Sequence, residues 1–99
     1  YDDVLTYPAV RQDIAVAVDE DVEAGALVAA AREAGGPLLR EARVFDVYRG
    51  EQVGEGRKSV AVHLAFQSPE RTLTDEEAAG LREAIVARLA ADFGAELRA

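Results

Sequence analysis

The segment Lys58–Ser68, KSVAVHLAFQS, alternates between two kinds of side chain more regularly than any other part of this chain. One parity carries only large apolar residues, namely Val60, Val62, Leu64 and Phe66. The other parity carries small or polar residues, namely Ser59, Ala61, His63, Ala65 and Gln67. A period of two is typical of a strand with one face on a core. We therefore predict a strand here, with the large apolar set facing inward.

Two earlier segments show the same period. In Asp13–Val18 the larger residues Ile14, Val16 and Val18 are expected to face the core, which leaves Ala15 and Ala17 on the other face. In Leu38–Tyr48 we expect Phe45 and Val47 to share one face and Val44, Asp46 and Tyr48 to share the other. The segment Arg49–Arg57 contains three glycines and no apolar run, so it is predicted to be the hairpin loop before the next strand.

Two segments have apolar residues at helical spacing. The first runs from Val22 to Ala34, with Asp21 as its expected N-cap and Gly35-Gly36-Pro37 as its end. The second begins with a capping box of Thr74 and Glu77 and ends at Gly94. Its apolar stripe consists of Ala78, Leu81, Ile85, Val86, Leu89 and Phe93. The last segment, Ala95–Ala99, is short, and Leu97 is expected to seat it as a final strand.

The order of these elements, β-α-β-β-α-β, predicts an α+β, ferredoxin-like fold. We expect a four-stranded antiparallel sheet in the order 4-1-3-2, with two helices on one face and the other face open. Its 99 residues suit one domain. We assign residues 1–10 to a lead-in segment and residues 11–99 to the domain. Because the chain contains no Met, we expect it to be a fragment of a longer chain or one whose start was removed.

The composition excludes several kinds of site. The chain has one His and neither Cys nor Asn, so no thiolate site, no nucleophilic triad and no acylphosphatase-type Arg–Asn pair is marked in the sequence. Its glycines match neither a Walker loop nor a dinucleotide fingerprint. We therefore expect a non-catalytic binding domain with no cofactor and no metal. No apolar run is long enough for a membrane span, so a soluble, cytoplasmic protein is expected. The formal net charge of −8 argues against a protein that tracks phosphates by charge alone.

The face opposite the helices is predicted to be a shallow surface floored by alanines, on which Asp46, Tyr48 and His63 stand. Such a floor suits another domain or a nucleic-acid base. Each side chain also has an ordinary interpretation: Tyr48 shields the sheet, Asp46 is an exposed strand charge, and His63 is solvated. The outward positions of the two central strands lack the aromatic residues with which RRM domains stack bases. The basic residues around the hairpin, Arg49, Arg57 and Lys58, are candidates for phosphate contacts or simply for solubility.

Four stretches together resemble a known family. They are YPAVRQDIA (Tyr7–Ala15), FDVYRG (Phe45–Gly50), GEGRKS (Gly54–Ser59) and FQSPERTLTDEE (Phe66–Glu77). In this combination they are similar to the ferredoxin-like anticodon-binding domain that ends the beta chain of bacterial phenylalanyl-tRNA synthetase. The resemblance spans roughly Tyr7 to Ala99.

The resemblance implies an RNA-binding role without catalysis. In that family this domain contacts the anticodon stem-loop of tRNA-Phe and positions the tRNA, while the alpha chain binds phenylalanine and ATP. It implies that Tyr48 stacks on a base, that Asp46 accepts a hydrogen bond from a base edge, and that Ala15 and Ser59 lie beside them. Candidates for phosphate contacts are Arg98, Arg49, Arg57 and Lys58.

The resemblance also implies a parent enzyme and its partners. That enzyme would be an ATP-dependent phenylalanine-tRNA ligase that needs magnesium and contains two alpha and two beta chains. The alternative left open by the fold is a ligand-sensing or interaction domain such as an ACT domain. The glycines that an ACT domain carries near its first strand–helix turn are missing, because Val18–Glu23 is acidic instead.

Overall fold

The computed structural model describes residues 7–98 and contains six main elements. Of the predicted lead-in, residues 1–6 lie outside the described part of the chain, as does Ala99 at the other end. Two short 3-10 turns, Gly36–Leu38 and Glu51–Val53, occupy the connections on either side of the second strand. The elements in chain order are β1 (Val10–Asp19), α1 (Ala24–Gly35), β2 (Leu39–Tyr48), β3 (Arg57–Phe66), α2 (Asp75–Phe93) and β4 (Glu96–Leu97).

The strands form one antiparallel sheet in the order β2-β3-β1-β4. β1 and β3 pair without interruption over ten residues each, from Val10 opposite Phe66 to Asp19 opposite Arg57. β4 adds a short edge, where Leu97 lies opposite Val16. The predicted ferredoxin-like arrangement and its strand order are therefore confirmed.

The hydrophobic core lies between the sheet and the two helices. Every large inward residue predicted for the first and third strands is at most 1% exposed. The helices contribute mainly Leu27, Ile85 and Leu89, each 0% exposed. Burying one such side chain stabilises the fold by about 1.5–3 kcal/mol. Within residues 7–98, no helix covers the opposite side of the sheet. In residues 7–98, no helix has the length and apolar character needed to cross a membrane.

The two helices begin differently. α2 begins with the predicted capping box, in which the Thr74 hydroxyl accepts from the Glu77 amide and the Glu77 carboxylate accepts from the Thr74 amide. Arg71 also donates to Glu77, and this hydrogen bond together with that of the Thr74 amide lowers the pKa of Glu77 to about 2. α1 begins at Ala24 after Glu23, so the prediction of Asp21 as N-cap is wrong. Asp21 instead lies inside a turn closed by the Val22 amide and the Asp19 carbonyl.

The second strand departs from simple alternation at Phe45. Val44 lies opposite Val62 and Asp46 lies opposite Ala61, so Phe45 is an extra residue in a β-bulge. The bulge places Val44 against the core and leaves Phe45 51% exposed. The predicted placement of these two residues is therefore wrong. Asp46 and Tyr48 lie beyond the bulge, and they take the outer face as predicted.

Candidate nucleic-acid interface

The register of the sheet arranges the outer face in rows that run across the strands. Directly paired residues of antiparallel strands project to the same side. The row nearest the β2–β3 hairpin consists of Tyr48, Ser59, Ala17 and Glu96. The next row consists of Asp46, Ala61 and Ala15, and it ends at Arg98, whose amide donates to the Ala15 carbonyl. The structure thus brings four of the predicted residues, Asp46, Tyr48, Ala15 and Ser59, into two rows about 7 Å apart.

Tyr48 is a fixed but accessible ring. Its hydroxyl donates to the Gln52 side chain at 2.6 Å, and 42% of the residue is exposed. The ring lies against Gly50, where a Cβ atom would come within 2.7 Å of the ring carbon Cζ. Glycine at this position therefore lets the ring lie over the start of the hairpin, where an incoming planar group can reach it.

Asp46 supplies an exposed carboxylate beside that ring. Within residues 7–98 its oxygens accept no hydrogen bond and form no ion pair. Its neighbours across the sheet are the methyl groups of Ala61 and Ala15, which leave space above the sheet. A carboxylate accepts hydrogen bonds only, so the group at this position is able to accept from N–H or O–H donors.

The predicted basic residues do not form one patch. Arg49 donates to Glu20 at 2.7 Å. Arg57 is held by Asp19 at 3.1 Å and by Glu96 and the Ala17 carbonyl, both at 3.0 Å. Arg57 therefore ties three strands together. Lys58 lies opposite Val18 on the helix-covered side and is 8% exposed.

Arg98 is the predicted basic residue that continues a row of the outer face. It is exposed, and it lies directly beyond Ala15. Among residues 7–98 its side chain takes part in no ion pair. It therefore provides a cation at the end of the row that starts with Asp46.

A polar cluster that sequence reasoning missed occupies the half of the outer face away from the hairpin. We call it the distal network; it consists of Arg11, Asp13, Glu41, Arg43 and His63. Arg43 donates to Glu41 at 2.7 Å, and this hydrogen bond is the main reason that the pKa of Glu41 is lowered. These residues come from three strands, and only the register brings them together, so no local sequence signal marks them.

His63 is the most enclosed member of the distal network. Its Nδ1 lies 2.7 Å from the Asp13 carboxylate and its Nε2 lies 3.3 Å from the Arg11 guanidinium. In the sequence this residue had the ordinary interpretation of a solvated side chain, but only 15% of the side chain is exposed. Across residues 7–98, no group of three or more His, Cys, Asp or Glu side chains is placed to hold a metal ion.

Comparison with known proteins gives consistent matches. A family model described as "Ferredoxin-fold anticodon binding domain" matches residues 6–98. The phenylalanine–tRNA ligase beta subunit of Geobacillus kaustophilus is 49% identical over 98 residues, which is 99% of this chain and 12% of that protein. The beta subunits of Vibrio vulnificus and Nocardia farcinica are 53% and 50% identical, over 93% and 96% of this chain. The chain spans 11–12% of the length of these curated relatives.

Proposed function

This chain belongs to the family of ferredoxin-fold anticodon-binding domains, and from that premise we propose that its open sheet face binds the anticodon stem-loop of tRNA-Phe. One observation carries the proposal. Within residues 7–98, an exposed ring and a carboxylate without a hydrogen-bond partner stand in adjacent rows above a floor of alanines, on the face that no helix covers. Single-stranded RNA is recognised by stacking on aromatic rings and by hydrogen bonds to base edges, and this surface offers both.

Tyr48 is proposed to stack on one anticodon base. Its hydrogen bond to Gln52 and its contact with Gly50 hold the ring before RNA arrives, so little side-chain entropy is lost on binding. Stacking of a base on an aromatic side chain contributes about 1–3 kcal/mol.

Asp46 is proposed to read the edge of a base. A carboxylate in this position accepts from N–H groups, and guanine offers neighbouring N–H donors on its Watson–Crick edge. The small side chains of Ala15 and Ala61 let a base approach the sheet closely beside Asp46. Ser59 lies between Tyr48 and Ala17 and is 5% exposed, so we assign its hydroxyl a smaller contribution to base recognition than the Asp46 carboxylate.

Phosphate contacts are proposed mainly for Arg98. Arg49 and Arg57 already bind carboxylates, so each must exchange an ion pair for a phosphate and gains less by doing so. Lys58 lies on the helix-covered side and is outside the proposed surface. With a net charge of −8, we expect the chain to bind RNA weakly and with a shallow salt dependence.

The names of the relatives extend the proposal to the parent protein. We propose that the chain is part of the beta subunit of a phenylalanine–tRNA ligase. ATP, magnesium and phenylalanine would act in the alpha chain of an assembly of two alpha and two beta chains. This domain would select and place the tRNA, in the cytoplasm, for aminoacylation carried out elsewhere.

The kinetics of a Tyr48→Ala variant of the full-length ligase test this function. Loss of an interaction made equally in the ground and transition states raises KM and leaves kcat unchanged. We therefore expect a higher KM for tRNA, with ATP–pyrophosphate exchange unchanged. A matched Glu83→Ala change on the exposed side of α2 should alter neither value. The proposal fails if Tyr48→Ala lowers exchange as much as charging, or if it leaves KM for tRNA unchanged.

A further inference from the structure

The distal network contains a second ring of the open face, the imidazole of His63, with the other four members around it. His63 lies between Asp13 on β1 and Arg43 on β2, and the next row contains Arg11 and Glu41 around Ala65. The notable feature of this arrangement is that it uses up the hydrogen-bonding capacity of the imidazole. Because a carboxylate only accepts and a guanidinium only donates, we assign Nδ1–H as the donor to Asp13 and Nε2 as the acceptor from Arg11.

These two hydrogen bonds determine what His63 can offer to a partner. Hydrogen bonds to ring nitrogens lie close to the plane of the ring, so both polar edges are already occupied. The side chain is 15% exposed, so a partner can contact only the part of the ring that its neighbours leave uncovered, and the orientation of that ring is fixed from two sides. A ring held in this way is suited to stacking, and histidine is one of the side chains on which unpaired RNA bases stack.

The position of His63 relative to Tyr48 fits a single strand. Tyr48 pairs with Ser59, which lies four residues before His63 on β3, so the backbone positions that carry the two rings are about 13 Å apart along the sheet. Asp46, opposite Ala61, lies halfway between them. A strand of RNA that runs from one ring to the other therefore passes over the Asp46 carboxylate and the alanines beside it.

We propose that His63 is a second stacking position, which binds a different base of the RNA loop from the one on Tyr48. The inference rests on the proposed RNA-binding function of this face and names a further part of the same surface. Arg43 lies beside His63 across the sheet with its side chain 59% exposed. Like Arg49 and Arg57 it already binds a carboxylate, that of Glu41, so we assign it only a small contribution to phosphate binding. Asp13 and Arg11 act as positioning residues for the ring.

Abasic scanning of the RNA tests this inference. The probe is a set of tRNA-Phe anticodon stem-loops in which one loop base at a time is removed, and the measurement is Kd for the chain and its variants. In the unaltered chain, removal of either stacked base should weaken binding about 5- to 150-fold. Tyr48→Ala should abolish the penalty at one position and His63→Ala the penalty at another. Glu83→Ala, on the exposed side of α2, should change neither.

Two further variants separate the ring face from its polar edges. His63→Phe keeps a ring but no edge hydrogen bonds, so it should retain the abasic penalty. His63→Gln keeps a polar group within reach of Asp13 but no ring, so it should lose the penalty as His63→Ala does. Because opposite results are expected for these two variants, they distinguish a stacking ring from a polar contact even if His63→Ala does not fold.

Three outcomes would overturn the inference. In the first, His63→Ala and His63→Gln bind every RNA as the unaltered chain does, while Tyr48→Ala weakens binding. This result would support the proposed function and reject His63 as a second stacking position. In the second, the His63 variants weaken all RNAs equally and every abasic penalty persists, which indicates a structural role. In the third, the unaltered chain binds no stem-loop, which removes the proposed function as well.

Discussion

Gly50→Ala is a change that should disturb the proposed RNA surface without removing any of its side chains. Gly50 has φ 173° and ψ 179°, an extended conformation that alanine also adopts. A Cβ atom there would lie 2.7 Å from Tyr48 Cζ and 3.0 Å from Cε2. Ordinary van der Waals contact begins near 3.4 Å, so the ring must move by roughly 0.7 Å or more.

The expected change in stability is small, because two effects oppose each other. Replacing a glycine by alanine where the backbone permits it stabilises a fold by about 0.4–1 kcal/mol. Displacing Tyr48 breaks its hydrogen bond to Gln52, which costs about 0.5–1.5 kcal/mol. The free energy of unfolding should therefore change by no more than about 1 kcal/mol, as measured by denaturant titration.

The expected change in RNA binding is larger. If Tyr48 stacks on a base, moving the ring forfeits part of the roughly 1–3 kcal/mol that stacking contributes. Affinity for an anticodon stem-loop should then fall to a value between those of the unaltered chain and Tyr48→Ala. In a double-mutant cycle, Gly50→Ala should have almost no further effect once Tyr48 is alanine, because its effect acts through that ring.

Either of two results would rule out a role for the position of the Tyr48 ring in RNA binding. Unchanged RNA affinity in a folded Gly50→Ala variant would mean that the ring position does not matter. Equal losses from Gly50→Ala in the presence and absence of the Tyr48 ring would mean that the glycine acts by another route.

Three further changes address the base edge, the α2 cap and the core. Asp46→Asn should alter the ranking of anticodon variants measured by charging, and identical charging of all variants would make Asp46 structural. Because the pKa of Glu77 is lowered to about 2, its contribution to stability is complete above pH about 4.5 and is lost as pH falls toward 2. When stability is measured against pH, Glu77→Gln should lack this acid-dependent loss. A profile equal to that of the unaltered chain would contradict the capping role. Leu89→Ala should cost about 2–5 kcal/mol in denaturant titration, since Leu89 is 0% exposed; a loss below 1 kcal/mol would argue against the described packing.

The sequence was sufficient to predict the inward residues of β1 and β3, since neither strand interrupts its period of two. It failed on β2 because one extra residue, Phe45, reverses the parity of Val44 relative to Asp46. The bulge leaves no hydrophobic signature because Val44, Phe45 and Val47 are all apolar and occupy both parities of the strand. Asp46 and Tyr48, which follow the bulge, lie on the predicted outer face.

The charges were less predictable from the sequence than the strands. Arg57 looked like part of a basic hairpin, but the fold brings Asp19 and Glu96 to it from two other strands. The distal network likewise joins Asp13 to His63 across fifty positions of sequence. Such pairs depend on register between strands, which a single sequence does not specify.

The central claim, that RNA binds the open face of the sheet, is tested most directly by alanine-methyl NMR with the anticodon stem-loop as titrant. The chain carries alanine methyls on both sides, so one labelled sample reports on both surfaces. RNA binding to the open face should shift the methyl signals of Ala15 and Ala61, on the outer face, and leave those of the exposed Ala84 and Ala87 on α2 unchanged. Shifts confined to α2, or no shifts at the highest stem-loop concentration that the titration reaches, would contradict this claim.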